Sequence, residues 1–518
     1  MSKRAIAAWV IVAGWLGGTA MLVRREVFRP HIERLAEAAL RVTPGAVFYA
    51  VMQGETQVGF ASSTIDTAAT TIEQRDYLVA DIVAAGQTHR ATARTTVLLT
   101  RTLRVRSFEV SLEADQSPVR VEGHVLGDTL LSIVLNAVPG QPADTQHMRI
   151  GGPILLPTLV PLAAALESKP KVGRSYVLPL FDPVSLAPRD VRIDVRAETV
   201  FVVNDSSVFD STAGRWRGAL PDTLRAWRLV AETGGAGTDH WVDGQGRVVS
   251  SRQMGFELRR MPYEVAFENW RLESNTAPNV TAAAGAARKR DVLEATAIAS
   301  NKILKGNVRE LRARLSGVSF AGLDLHGGRQ TFRGDSLIVR REEGRQLRAV
   351  YVPILGGQKA GNADLKQEPF LEVDHREIVA LAERLVDGSR DPSTIVERIN
   401  RWVYDSLRKE VTVGIPSALH VLHTRVGDCN EHTQLFVALA RAAGIPARIA
   451  TGLAYVDGKF YYHAWAEVML RGWVAVDPTF GQFPADAAHV RIVNGGLARQ
   501  TELLRLVGNL RIDVTGTR

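Results

Sequence analysis

Cysteine is the scarcest informative residue: the chain of 518 residues contains one. A single thiol forbids an intramolecular disulfide, a zinc cysteine cluster and an iron–sulfur centre alike. If that cysteine matters, it acts alone. Compositional extremes are missing too. With 46% hydrophobic and 23% charged residues the chain is neither a disordered tail nor a collagen-like or mucin-like polymer. No strong charge of one sign is present either. Lys and Arg number 63 against 55 Asp and Glu, and a net charge of +8 over this length fits solubility or attraction to an anionic surface without calling for nucleic acid. At about 100–200 residues per domain, the length has room for roughly three domains and a large core.

What is present starts with a charge-free run. After Lys3 and Arg4 the chain reads AIAAWVIVAGWLGGTAMLV over residues 5–23 and then meets Arg24 and Arg25. As a helix this run is about 28 Å long, close to the roughly 30 Å core of a bilayer. An uncleaved transmembrane anchor is expected, with a cleaved secretory signal ending near Gly18-Thr19-Ala20 as the alternative. Arg24, Arg25, Arg29 and Arg34 outnumber Lys3 and Arg4, so charge count alone would leave the body in the cytoplasm. The short basic amino tail and the near-absence of cysteine point instead to an exported, periplasmic or other extracytoplasmic body.

From about Pro44 to Asn275 short alternating runs such as VFYAVMQ, RTLRVRSFEVSLEA and RDVRIDVRAETVFVV are broken by turn residues. Period-two alternation of this kind predicts antiparallel sheet with one wetted face. Asp243-Gly244 and Gln245-Gly246 supply residues suited to a tight hairpin, and LLPTLVPLAAALES at 155–168 reads as a short helix lying on that sheet. Residues 276–290, TAPNVTAAAGAARKR, read as a linker. Next comes AIASNKILKGNVRELRARL, which reads as a helix, followed by strands including GDSLIVRR. The expected organisation is an anchor at 1–23, a β-rich domain at 24–275, the linker at 276–290, an intermediate α+β domain at 291–372, a chemical domain at 373–490 and a carboxy-terminal extension at 491–518 that packs a short helix and strand on the core.

The chemistry sits in the last 150 residues or so. Ile378, Leu381 and Leu385, then Ile395, Ile399, Trp402 and Val403, have helical spacing. Asp387-Gly388 stops the first helix, and Asp391-Pro392-Ser393 starts the second. Gly427-Asp428-Cys429-Asn430-Glu431-His432 follows, and an apolar stripe through Leu435, Phe436, Leu439 and Ala443 runs to Gly444-Ile445-Pro446. Cys429 therefore starts a helix, where unpaired N–H groups and the positive dipole end favour a thiolate and lower the thiol pKa. Beyond Pro446 the period changes to two, predicting a three-stranded meander with His463 in the middle strand and Asp477 in the third. These two share a face only if an odd number of residues closes the second hairpin. A three-residue loop, Leu470-Arg471-Gly472 with Gly472 at positive φ, pairs Met469 with Trp473 and sets His463 diagonal to Asp477. Pro478 then ends the strand.

GDCNEH, GIPARIATG, HAWAEV and WVAVDPT, in that order over about residues 374–490, resemble the transglutaminase-like domain of the papain-like cysteine hydrolases. The resemblance implies an α+β fold, helices followed by an antiparallel sheet. It also implies Cys429 as nucleophile, His463 as the base paired with it and Asp477 as the group orienting the imidazole. A thiolate–imidazolium pair independently needs a third group to fix the ring's tautomer. The Cys429 N–H is the expected first oxyanion donor. An upstream side chain often helps in this family, which makes Trp402 and Tyr404 candidates, while Trp465 is a candidate cleft wall. His420, His423 and His432 lack a metal-binding partner motif, and animal transglutaminases use calcium but no Asp-x-Asp-x-Asp-Gly loop occurs here. No metal and no cofactor is expected. The implied function is amide or peptide hydrolysis through a thioester, acting on a peptide or protein of the cell envelope and involving no nucleic acid. Two alternatives are protein crosslinking by the same triad, and an envelope-binding module in which the triad is vestigial.

Overall fold

The computed structural model describes residues 42–518 apart from 137–143, 233–238, 276–290, 354–361 and scattered single or paired positions. The expected span at 5–23 and the linker at 276–290 lie outside the described residues. Among the described residues no helix is long and apolar enough to cross a membrane.

Residues 45–261 form one 14-stranded antiparallel sheet built as two meanders. The first runs strand by strand from Gly45–Gln53 to the edge strand Asp144–Arg149; the second runs from the opposite edge, Ser175–Asp182, to Phe256–Met261. Gly45–Gln53 pairs with Phe256–Met261 and so joins the two. The alternation read from the sequence does what period two requires. Val97 and Leu99, then Val191, Ile193 and Val195, are buried on one face. The expected short helix is present as a turn at Pro157–Leu159 and a helix at Val160–Glu167, and its Leu159, Leu162 and Ala164 pack on that face. In the predicted hairpin Gly246 takes the positive φ, 77°.

The stretch read as a helix after the linker holds no helix: Ile298–Ala299 and the end of the stretch from Glu310 are strand, and the residues between them are irregular. A single helical turn, Val292–Thr296, precedes it, and Glu310–Ser316 is a strand whose Leu311, Ala313 and Leu315 are buried while Arg312 and Arg314 are exposed. Alternation within ELRARLS outweighed the helical propensity of its Leu, Arg and Ala. This strand lies in a four-stranded sheet between Ser336–Arg340 and Arg511–Thr517. The carboxy-terminal strand thus completes the sheet of the intermediate segment.

The carboxy-terminal region has helices α1 (Arg376–Val386), α2 (Pro392–Ser406), α3 (Ala418–Thr424) and α4 (Cys429–Ala442), then strands β1 (Ala447–Val456), β2 (Lys459–Met469), β3 (Trp473–Val476) and β4 (His489–Asn494), and the expected short helix after them at Leu497–Gln500. Asp387 turns left-handed to stop α1, and the Asp391 carboxylate accepts from the Ser393 and Thr394 N–H groups to start α2. Helix α4 is buried from Glu431 to Ala442, between α1, α2 and α3 on one side and β1 and β2 on the other. The central helix of the unit is therefore the one that carries the cysteine at its first position.

Candidate active site

Cys429 opens α4 as expected. Asp428 is the N-cap: its carboxylate accepts from the Asn430 N–H at 2.9 Å, while Glu431 reaches back to accept the Asp428 N–H at 2.9 Å, a complete capping box. Gly427 makes room for that return, since a Cβ there would stand 2.2 Å from the Glu431 Cβ. The Thr412 hydroxyl donates to the other Glu431 oxygen at 2.8 Å. The half-buried thiol lies against the backbone N–H of Ala464 in β2. That contact puts it beside His463.

The acidity of this thiol differs from the expectation. Burial pushes its pKa well above the ordinary value, the Asp428 and Glu431 carboxyls add to the effect, and the Ala464 N–H opposes it. Burial and repulsion from Asp428 also raise Glu431, to about 8. The capping box that starts the helix thus sets two carboxyls beside the thiol, and as they ionise they offset the favourable helix end. These surroundings favour the neutral thiol of Cys429 over its thiolate.

The second hairpin has the odd loop. Met469 pairs with Trp473 and Ala466 with Val476, and continuing this register sets His463 diagonal to Asp477. Gly472 is absent from the residues at positive φ, so the loop closes without the left-handed glycine expected there. His463 Nε2 lies 2.7 Å from Asp477 Oδ2, which leaves Nδ1 as the ring's basic nitrogen. Among the described residues no hydrogen bond joins Cys429 to His463. Asp477 is fully buried, and the Asp-Pro-Thr-Phe sequence folds back on it: the Thr479 and Phe480 N–H groups donate to Oδ1 at 2.7 and 3.0 Å. Pro478 has no N–H to interrupt this turn.

Oδ2 has a second imidazole partner that sequence reasoning missed. His489 in β4 places Nε2 2.9 Å from Asp477 Oδ2 and Nδ1 3.0 Å from Asp486 Oδ1. A ring between two carboxylates can satisfy both only as an imidazolium. Burial opposes that charge, but the hydrogen bonds to Asp477 and Asp486 outweigh it and raise His489 to about 9. Burial would likewise raise Asp477, yet the charge of His463 and the hydrogen bonds from His463 and His489 hold it well below the carboxylate range. Close approach of β4 depends on Gly452, which lies opposite His463 and whose Cβ would meet the Val490 carbonyl at 2.0 Å. Buried Arg491, paired with Glu467 at 2.8 Å, fixes β4 to β2. The only signal in the sequence was Asp486-x-x-His489 in an otherwise apolar stretch.

Phe480 also went unnoticed. Its ring stacks on His463 at 4.9 Å between centroids and 9° between planes. Trp465 lies behind the imidazole at 6.2 Å, fully buried among Ala450, Ala475 and Ala485, so it packs the core and does not wall an open cleft. Trp402 packs on the helical core under the Arg425 guanidinium, and half-exposed Tyr404 stands over Gly481 under the Lys409 ammonium. Trp402 is thus a packing residue of the helical core, whereas Tyr404 stands beside the Phe480-Gly481 turn that covers His463. A pocket of about 60 Å³ lined by Asn430, Thr433, Gln434 and Ala464 adjoins the cysteine and histidine elements.

The three upstream histidines are not gathered. His423 pairs with Glu377 at 2.8 Å, buried His432 bonds the Asp428 carbonyl oxygen at 2.7 Å, and His420 sits in the first turn of α3. The ligand atoms of His463, Asp477 and His489 do lie within 4.8 Å of one another, a spacing that also admits a divalent cation. Their mutual hydrogen bonds already satisfy them.

Residues 379–478 match the transglutaminase-like superfamily and form a domain of that kind. No curated protein matches the chain. Among solved structures, a candidate cysteine protease from Cytophaga hutchinsonii is 18% identical over 41% of this chain and 86% of its own, with a TM-score of 0.27. A DUF1089-family protein from Pseudomonas aeruginosa is 11% identical over 37% and 89%, with a TM-score of 0.22. A candidate protease from Parabacteroides distasonis is 12% identical over 77% and 65%, with a TM-score of 0.18.

Proposed function

We propose that the transglutaminase-like domain is a cysteine amidase or peptidase with Cys429, His463 and Asp477 as its triad. One observation carries the reading: the thiol at the first residue of α4 touches the N–H next to His463, whose far nitrogen is 2.7 Å from buried Asp477. His463 Nδ1 takes the Cys429 proton as the sulfur attacks the amide carbonyl. The tetrahedral oxyanion is held by the Cys429 N–H at the helix start. His463 then passes its proton to the leaving amine, and water, activated by the same nitrogen, resolves the thioester. Because the resting thiol is neutral, deprotonation accompanies attack, and a bound substrate that expels water strengthens the sulfur–imidazole interaction.

In this reading residues 5–23 anchor the protein and the substrate is a peptide or protein amide on the extracytoplasmic side. Full-length enzyme given a peptide amide, with and without a primary amine, tests hydrolysis against crosslinking. Release of free acid at a rate unaffected by the amine is expected; amine incorporation outrunning hydrolysis overturns the hydrolase. Iodoacetamide labelling tests the triad itself. If Cys429 alkylation is unchanged in His463→Ala, the pair is not working as a pair.

A further inference from the structure

The 14-stranded sheet has a cavity whose lining shares no residue with the candidate active site. It measures about 480 Å³ and lies between one face of the strands at 45–100 and the capping segment that begins at Pro157, with 246–258 along its side. Most of the lining on these strands has one parity, Val47 and Tyr49, Ala61 and Ile65, Gln74 and Leu78, with Ser62 and Tyr77 as the exceptions, so it lies mainly on one side of the sheet. Its volume lies within the roughly 300–1,000 Å³ of small-molecule sites. The cavity opens to solvent, so its apolar walls stay hydrated unless something apolar fills it.

Two buried polar atoms of its lining residues lack a partner. Gln74 is 5% exposed, and its Nε2 donates to Asp76 Oδ2 at 3.1 Å and Thr158 Oγ1 at 3.2 Å, leaving Oε1 buried and unbonded. Flipping the amide would gain nothing, because Oε1 would then face the Thr158 carbonyl, which Nε2 now meets at 3.3 Å. The His240 Nδ1 atom is also buried without a partner. Burial pushes three ionisable groups of the lining toward their uncharged forms: Tyr49 up, Asp76 up, His240 down to about 4. Arg247, the lining cation, is held at the edge by the Thr43 carbonyl at 2.9 Å.

We infer that this cavity binds an uncharged, largely apolar small molecule that donates a hydrogen bond to Gln74 Oε1. An apolar body covers the apolar walls, a single N–H or O–H donor satisfies the carbonyl, and a negative charge is disfavoured because the buried Asp76 carboxyl lines the cavity while the lining cation Arg247 is held at its edge. This is independent of the proposed catalysis.

The test uses two probes with one ring system. N-phenyl-1-naphthylamine is uncharged with one N–H donor; 1-anilinonaphthalene-8-sulfonate adds a negative charge. Full-length protein is titrated by fluorescence beside Ala93→Trp, which fills the cavity and sets the detergent background, and Gln74→Leu, which removes the acceptor. Leu78→Trp replaces Ala93→Trp if the latter fails to fold, with far-UV dichroism and Cys429 labelling as checks. Saturable binding of the neutral probe is expected in the wild type, abolished by the filling variant and weakened about tenfold in Gln74→Leu. Three results each overturn the inference: no signal above the filled variant, equal binding of the sulfonate, or Gln74→Leu binding as the wild type does.

Discussion

Replacing His489 by phenylalanine tests the imidazolium behind Asp477 most directly. The ring keeps most of the buried volume and loses both donors, so Asp477 keeps His463 as its one imidazole partner. A folded-state pKa of about 9 against an ordinary 6.5 is worth about 3 kcal/mol at 1.36 kcal/mol per pKa unit. Because the folded value is the higher one, the contribution is fully present below pH 6.5 and is lost as pH rises through about 9. Calorimetric Tm values of wild type and His489→Phe are compared from pH 6 to 10, and groups such as Glu431 that titrate in both proteins cancel in the difference. For a unit of 150–250 residues, 3 kcal/mol corresponds to roughly 6–12 °C. The wild-type advantage should shrink by about that much between pH 6 and 10. A gap that stays constant over this range would refute an imidazolium held between Asp477 and Asp486.

Asp477→Asn should lower turnover of a peptide amide by roughly 10³–10⁴-fold with little change in KM, because an amide supports the wrong tautomer of His463; a loss below tenfold would remove Asp477 from the triad. Glu431→Gln keeps an acceptor for the Asp428 N–H but cannot ionise, so alkylation of Cys429 should be faster than in the wild type above pH 8 and similar below pH 7. Equal rates at pH 9 would mean that Glu431 does not reach the thiol electrostatically. Gly452→Ala drives a methyl into the Val490 carbonyl and should destabilise the protein by about 1–3 kcal/mol while displacing His489; an unchanged Tm and rate would show that β4 can give way. Turnover should survive EDTA, since the His463–Asp477–His489 group acts through protons; loss restored by zinc would assign it to a metal.

Much of the carboxy-terminal architecture was legible because its signals are local. Asp391-Pro392-Ser393 and Asp387-Gly388 mark helix ends through hydrogen bonds within a few residues, and the odd loop after Met469 followed from requiring His463 and Asp477 on one face. The segment at 297–315 misled because helix-forming residues and a period-two pattern coincide there, and only pairing with Ser336–Arg340 and Arg511–Thr517 decides between them. Trp465 looked like a wall because it shares a face with His463; the cluster around Ala450, Ala475 and Ala485 closes over it.

The lone cysteine marks the same division. By itself the sequence determined that one thiol opens a helix with a histidine and an aspartate downstream on paired strands, since caps, periodicity and loop parity are properties of neighbouring residues. It could not determine the acidity of that thiol, which depends on burial and on how Asp428 and Glu431 crowd it. Nor could it place a second histidine on Asp477, because β4 reaches that carboxylate only through the close approach that Gly452 allows across β1. Charges interact through space and desolvation depends on what covers them, and both are settled only when the chain has packed.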